Sequence, residues 1–148
     1  MSDNEKYQQF RFAMPWPPTV NHWHQPIKMG KSVRVIKGSK AREYEKTAVA
    51  HLVKNGLSDL NLTAKMQVVM VLHPPSNRKY DIDNRTKGIF DSLSAAKFWV
   101  DDDQVVGLQI YKAQKVQGGK VVVIVNELPS QPGDNGDTID LFPESEKP

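Results

Sequence analysis

Apolar positions along the chain follow two rhythms, and the changes between them outline a fold. In residues 8–14, QQFRFAM, the side chains Phe10, Phe12 and Met14 alternate with their neighbours, the period of a half-buried strand. PWPP at 15–18 ends it. Residues 19–38 show no helical period and hold Gly, Pro, Trp23 and four Lys/Arg residues, which reads as a long irregular or hairpin-like arm of the kind that usually carries function. Ser39 then stands as N-cap of a helix with Ala41, Tyr44, Ala48 and Leu52 on one face and Gly56 as its stop, about four turns in all.

KMQVVMVL at 65–72 is apolar and branched enough for a strand, and HPPSNRK after it is a loop. Residues 84–97 give a second helix with Ile89, Leu93 and Ala96 inward and Asp83 as N-cap. Residues 104–113 and 119–127, either side of Gly118 and Gly119, read as an antiparallel pair. The expected order is therefore βαβαββ, an α+β domain over residues 1–128. From Pro129 the chain is polar, acidic and rich in Pro and Gly, so residues 129–148 are expected to be a disordered acidic tail. A length of 148 residues suits one core with extensions.

Composition narrows the chemistry. There is no cysteine, which excludes disulfides, thiolate metal sites and cysteine nucleophiles. No long apolar run or secretory pattern occurs, so a cytoplasmic protein without a membrane partner is expected. The net charge of +3 conceals an asymmetry. Residues 1–126 carry 19 Lys/Arg against 11 Asp/Glu, a net of +8, and residues 127–148 carry one Lys against six acids, a net of −5. A basic body attracts polyanions through counterion release, which makes nucleic acid the leading partner class over a surface tuned for solubility alone.

Carboxylates cluster along the chain around the second helix: Asp81 and Asp83 before it, Asp101, Asp102 and Asp103 after it. Gathered carboxylates repel one another unless a cation compensates, and hard oxygen ligands suit Mg²⁺ or Mn²⁺. Such a metal activates water and polarises a phosphodiester. Lys87, one helical turn after Asp83, would add positive charge at the reacting phosphate. Spacing alone leaves a plainer alternative standing, in which Asp83 caps a helix, Lys87 pairs with it or with Asp91, and the later acids form a solvated turn.

The stretch RKYDIDNRTKGIFDSLSAAKFWVDDDQVV, residues 78–106, closely resembles the central motif of the RusA family of Holliday-junction resolvases, with its D-x-D-N-x-x-K, F-D-x-L and F-W-x-D-D-x-Q-V pattern. PWPP with Asn21 and the GGK turn at 118–120 extend the resemblance over about residues 10–127. It implies a single domain with a mixed sheet and two main helices, acting as a homodimer that makes paired, symmetric, magnesium-dependent nicks in four-way DNA junctions. By the same resemblance the metal-binding acids fall on Asp81, Asp83 and Asp102 and the essential lysine on Lys87. Asp101 and Asp91 also match the motif, Asp91 with a structural role expected of an acid inside a helix.

Other residues serve this reading. Lys28, Lys31, Arg34, Lys37, Lys40 and Arg42 form the densest cationic run and are candidate phosphate contacts, as are Arg78 and Lys79, beside which Tyr80 is a candidate for stacking at the junction. His22 and His24 flank Trp23 and read as exposed loop residues. Phe98 and Trp99 read as core or dimer interface. In the tail, Ile139, Leu141 and Phe142 within TIDLF stand out as an apolar triad, similar to the short motif by which bacterial replication and repair proteins bind the sliding clamp, without its leading glutamine. Two other functions remain open on the sequence. One is a catalytically silent module that binds branched DNA and recruits partners through its tail; the other, a small-molecule phosphohydrolase, has no use for the basic arm.

Overall fold

A computed structural model describes residues 7–19 and 24–129. The elements are β1 (Gln9–Pro15), β2 (His24–Met29), β3 (Ser32–Lys37), α1 (Ser39–Lys54), β4 (Lys65–His73), a first 3-10 turn (Ile82–Arg85), α2 (Thr86–Ala95), a second 3-10 turn (Asp102–Gln104), β5 (Val105–Lys112) and β6 (Lys120–Leu128). The order is thus βββαβαββ rather than βαβαββ. The extra two strands are the basic arm, which closes on itself as an antiparallel hairpin turning at Gly30 and Lys31; Gly30 takes φ +62 there, a value costly for a side chain.

The main sheet runs β1-β6-β4-β5, and here the expected pairing of residues 104–113 with 119–127 is corrected. The strands β5 and β6 do not touch as neighbours; β4 lies between them, parallel to β5 and antiparallel to β6. A parallel pair needs a long crossover, and residues 74–104 supply it with both 3-10 turns and α2. The link after β5 crosses the end of β4 instead of turning tightly, with Ala113 N–H donating to Leu72 O and Val116 N–H to Pro74 O. The sheet is mixed, as the resemblance implied.

Both helices lie on one face of this sheet, giving two layers around one core. Alternate β4 residues Met66, Val68, Met70 and Leu72 are buried and pack with Val121, Val123 and Val125 of β6 and with Ala41, Ala48 and Leu52 of α1 and Ile89 and Leu93 of α2. Phe10 and Phe12 of β1 meet the ring of Phe98 at 5.2 and 5.6 Å. Phe98 and Trp99 are core residues.

Two helix starts differ from expectation. Ser39 is the first residue of α1, not its cap; Gly38 holds the cap position without a side-chain bond. Asp83 does not cap α2. Residues 82–85 tighten into the first 3-10 turn, α2 begins only at Thr86, and Arg85 takes the cap position. The anchor of α1 to β1 is polar: Tyr44 donates its hydroxyl to Pro15 O at 2.8 Å and the His51 ring bonds Ala13 O at 2.7 Å. No helix among the described residues is long and apolar enough to cross a membrane. The tail beyond residue 129, with Ile139, Leu141 and Phe142, and the arm residues 20–23, with His22, lie outside the described residues.

Candidate active site

The acids sit on the two short turns that flank α2. The chain leaves β4 into Pro74 and Pro75, which cannot continue a ladder, and the following loop delivers Asp81 to the start of the first 3-10 turn. Asp81 and Asp83 are both exposed. The amide of Asn84 donates to Asp81 Oδ2 at 3.3 Å, which steadies that carboxylate without burying it.

Asp102 opens the second turn, and its neighbours explain the motif around it. Asp101 caps the turn, its carboxylate accepting from Asp103 N–H at 3.2 Å while its own N–H donates to Gln104 Oε1 at 2.8 Å. That reciprocal pair is a capping box. The other end of the same Gln104 amide donates to Leu62 O and Ala64 O, both at 2.9 Å, tying the turn to the segment before β4. Asp101 and Gln104 therefore hold Asp102 in place.

Lys87 and Asp91 lie on α2, their charged atoms 3.3 Å apart. Asp91, which as a helix acid reads as structural, belongs to the electrostatics of the site. Partial burial, a hydrogen bond with Asp101 and the like charges of Asp101 and Asp91 raise the Asp102 carboxyl above the usual carboxylate range, and the Lys87 ammonium pulls it back down. This is the crowding of acids that a cation relieves. Among the described residues no three His, Asp or Glu side chains stand close enough to form a ready-made metal cage. The donors nonetheless fit a magnesium ion by their chemistry: they are hard oxygens, the first-turn pair is open to solvent, and Mg²⁺ keeps several waters and needs only one or two carboxylates with a phosphate.

Next to Asp81 lies a knot of aromatic and basic side chains. Tyr80 meets Trp16 edge-on at 5.5 Å and carries the Lys112 ammonium over its ring at 4.3 Å. Lys112 also donates to Tyr80 O at 2.5 Å. Arg85 lies over Trp16 at 4.9 Å and donates from Nη1 to Pro17 O at 2.5 Å. Gly119 closes the knot from behind: a Cβ there would stand 2.9 Å from Trp16 Cβ and 3.0 Å from Pro75 Cδ. Burial raises the Tyr80 phenol and lowers the Arg85 guanidinium, each partly offset by the charge of the other. To stack on a base, Tyr80 must leave these contacts. Arg85 and Lys112 went unread in the sequence because one looked like a helical residue and the other like a strand end.

The remaining basic candidates fall in three places, Lys40 and Arg42 lying on α1. Lys28 and Lys31 are exposed on the hairpin, whose second strand, β3, also carries Arg34. Lys37, at the end of β3, is ion-paired with Glu45 of α1, so the hairpin base is tied to the helix. Arg78 and Lys79 are exposed on the loop before Tyr80.

Residues 15–126 match the family described as Endodeoxyribonuclease RusA. The protein named Crossover junction endodeoxyribonuclease RusA from Escherichia coli strain K12 is 30% identical over 119 residues, covering 80% of this chain and 95% of that protein. Its namesakes from Shigella sonnei strain Ss046 and from Enterobacteria phage 82 are each 29% identical over the same length and shares. A match that runs from the PWPP segment almost to the end of β6 takes in three of the four strands of the main sheet, both helices and both acid-bearing turns, and so the chain belongs to the RusA endodeoxyribonuclease family.

Proposed function

We propose that this protein is a structure-selective endodeoxyribonuclease that resolves four-way DNA junctions by paired, symmetric nicks, using Mg²⁺, for which Mn²⁺ can substitute, in DNA recombination and repair. The observation that carries the reading is the presence, within the span matched to the family, of Asp81, Asp83, Asp102 and Lys87 on the two turns and the helix between them. Asp81, Asp83 and Asp102 would hold the metal, which when bound lowers the pKa of water and polarises the phosphodiester. In the hydrolysis the water oxygen bonds to phosphorus and gives a proton to solvent, while the bond to the 3′ oxygen breaks and that oxygen takes up a proton from solvent. The products are a 3′-hydroxyl and a 5′-phosphate, ends that a ligase can seal.

The chain's own residues have separable parts in this. The Asp101–Gln104 box orients Asp102, Lys87 opposes the upward shift that burial and acidic neighbours impose on the Asp102 carboxyl, and the Lys87 ammonium brings positive charge to where negative charge develops on the phosphate. The hairpin lysines Lys28 and Lys31, with Arg34, Lys37, Arg78 and Lys79, contact the DNA backbone, and Tyr80 forms part of the same interface. A homodimer gives two such sites related by a twofold axis, matching the pseudo-twofold symmetry of a four-way junction.

Incubating a synthetic four-way junction with the protein in Mg²⁺ or in EDTA tests the reading directly. Symmetric nicks in Mg²⁺ and intact DNA in EDTA are the expected result. Junction binding without cleavage, across metals and junction sequences, would point to a binding module instead. The tail supports a further partner, the bacterial sliding clamp, through Ile139, Leu141 and Phe142. In a clamp pull-down, wild type should be retained and the Leu141→Ala, Phe142→Ala double variant lost; equal recovery disposes of that partner.

A further inference from the structure

The knot around Tyr80 borders a hollow of about 480 Å³ lined by Lys79, Arg85, Lys112, Asn84 and Thr19, with Asp81 as the one acid of its lining. We propose that this hollow seats a backbone phosphate of the DNA next to the one that is cleaved, with Arg85 and Lys112 as its anchors. The proposal rests on the nuclease reading and deepens it: it assigns a substrate subsite to Arg85 and Lys112, which are neither the acids and Lys87 of the motif nor part of the basic arm.

Three features point to an anion. Lys79, Arg85 and Lys112 converge on a space bounded by a single carboxylate, an excess of positive charge that a phosphodiester neutralises. Two of the cations are held before any ligand arrives. Arg85 is fixed by Pro17 O and the Trp16 ring, and Lys112 by Tyr80 O and the Tyr80 ring, so little side-chain entropy is lost on binding.

The third feature is an incomplete set of hydrogen bonds. Among the described residues, Arg85 Nε and the Tyr80 hydroxyl are buried and have no hydrogen-bond partner, although buried polar groups are rarely left unpaired. The guanidinium Nε–H can only donate and the phenol can donate. What this wall lacks is an acceptor. Because both atoms are covered, a phosphate engages them only when a side chain at the mouth moves. Lys79 is exposed and, like Tyr80 and Arg85, lines both this hollow and a neighbouring one of about 400 Å³ that Trp16 and Pro75 also line. The adjoining Asp81 fixes which phosphate is involved, since a group in the hollow lies alongside the carboxylate proposed for catalysis.

Junction binding in EDTA, with single phosphates replaced by neutral methylphosphonates at each position flanking the cut, tests the assignment. For the full-length wild type one such position should lower affinity about tenfold, the size of a charge-assisted contact. Arg85→Leu should lose about tenfold on unmodified DNA, with the salt slope reduced by about one, and lose nothing further on the DNA modified at that position. Lys112→Gln, a change at the exposed end of β5, should show the same coupling even if Arg85→Leu folds poorly. Losses that multiply at every position, for both variants, overturn the subsite while leaving junction binding and cleavage by the wild type intact. A wild type that neither binds nor cuts junctions overturns the nuclease reading and the subsite with it.

Discussion

Asp102→Asn is expected to lower the rate of junction cleavage about a thousandfold, the equivalent of several kcal/mol of transition-state stabilisation supplied through a metal site, while junction binding persists and the folded protein becomes slightly more stable. The two effects have one cause. Asp102 stands among Asp101, Asp91 and Lys87, and burial and like charge hold its carboxyl above the usual range. A carboxyl with a higher pKa in the folded than in the unfolded chain binds its proton more tightly when folded, so its ionisation works against folding. That penalty sets in as pH rises through the unfolded pKa and is complete above the folded one.

Asparagine is neutral throughout. The stability gain should therefore be present at pH 7 and vanish below the unfolded carboxyl pKa, where Asp102 is itself protonated. The site is partly solvent-exposed, so screening limits the gain to about 0.5 kcal/mol, or a Tm rise of about 1 to 2 °C. Calorimetry at pH 7 and pH 3, paired with single-turnover cleavage, reads both effects. A Tm that falls at pH 7 would mean that the carboxylate makes a favourable bond there and is not the crowded acid described.

The second large effect is structural. Trp99→Ala should destabilise the protein by about 3 to 5 kcal/mol, the usual cost of deleting a buried aromatic, against a total stability for a small domain of about 5 to 15 kcal/mol. Trp99 is 1% exposed. Its ring meets Phe90 at 5.5 Å and Phe98 at 5.7 Å, both edge-on, and its indole N–H donates to Ser94 Oγ at 2.8 Å. It also forms a bridge with Leu62, beside the carbonyl that Gln104 uses to hold the second acid-bearing turn. Thermal denaturation should show a Tm lower by about 10 °C or more, with Trp99→Phe losing much less. A loss under about 3 °C for the alanine variant would contradict the packing role.

Much of this site was legible along the chain. The alternation of Phe10, Phe12 and Met14, the alternate buried residues of β4 and the face formed by Ala41, Tyr44, Ala48 and Leu52 are local periods, and burial follows them residue by residue. The acids and Lys87 stood out through the resemblance of residues 78–106 to the RusA motif, since their spacing alone left a capped helix and a solvated turn as an open alternative. Asp101 and Gln104 belong to the same motif, yet their work is to hold the turn, which only their hydrogen bonds reveal.

Strand neighbours were not legible. Residues 105–112 and 120–128 are each good strands near a glycine pair, and nothing local says that β4 comes between them. That choice belongs to the crossover through α2, which returns the chain parallel to β4 and leaves β6 to fill the gap between β4 and β1. The start of α2 failed for a related reason: Asp83 has the right side chain for a cap, but the chain tightens into a 3-10 turn and the α-helix begins three residues later.

By itself, then, the sequence determined the elements, the inward faces, the acid motif and the charge of the body, because periodicity, side-chain chemistry and ionisation are properties of residues and their near neighbours. Only the tertiary structure decided which strands pair, that Asp91 and Lys87 flank Asp102, and that Arg85, Lys112 and Tyr80 meet beside Asp81. Those contacts join residues far apart in the chain, and long-range packing and the crossover selected them where local preference was indifferent.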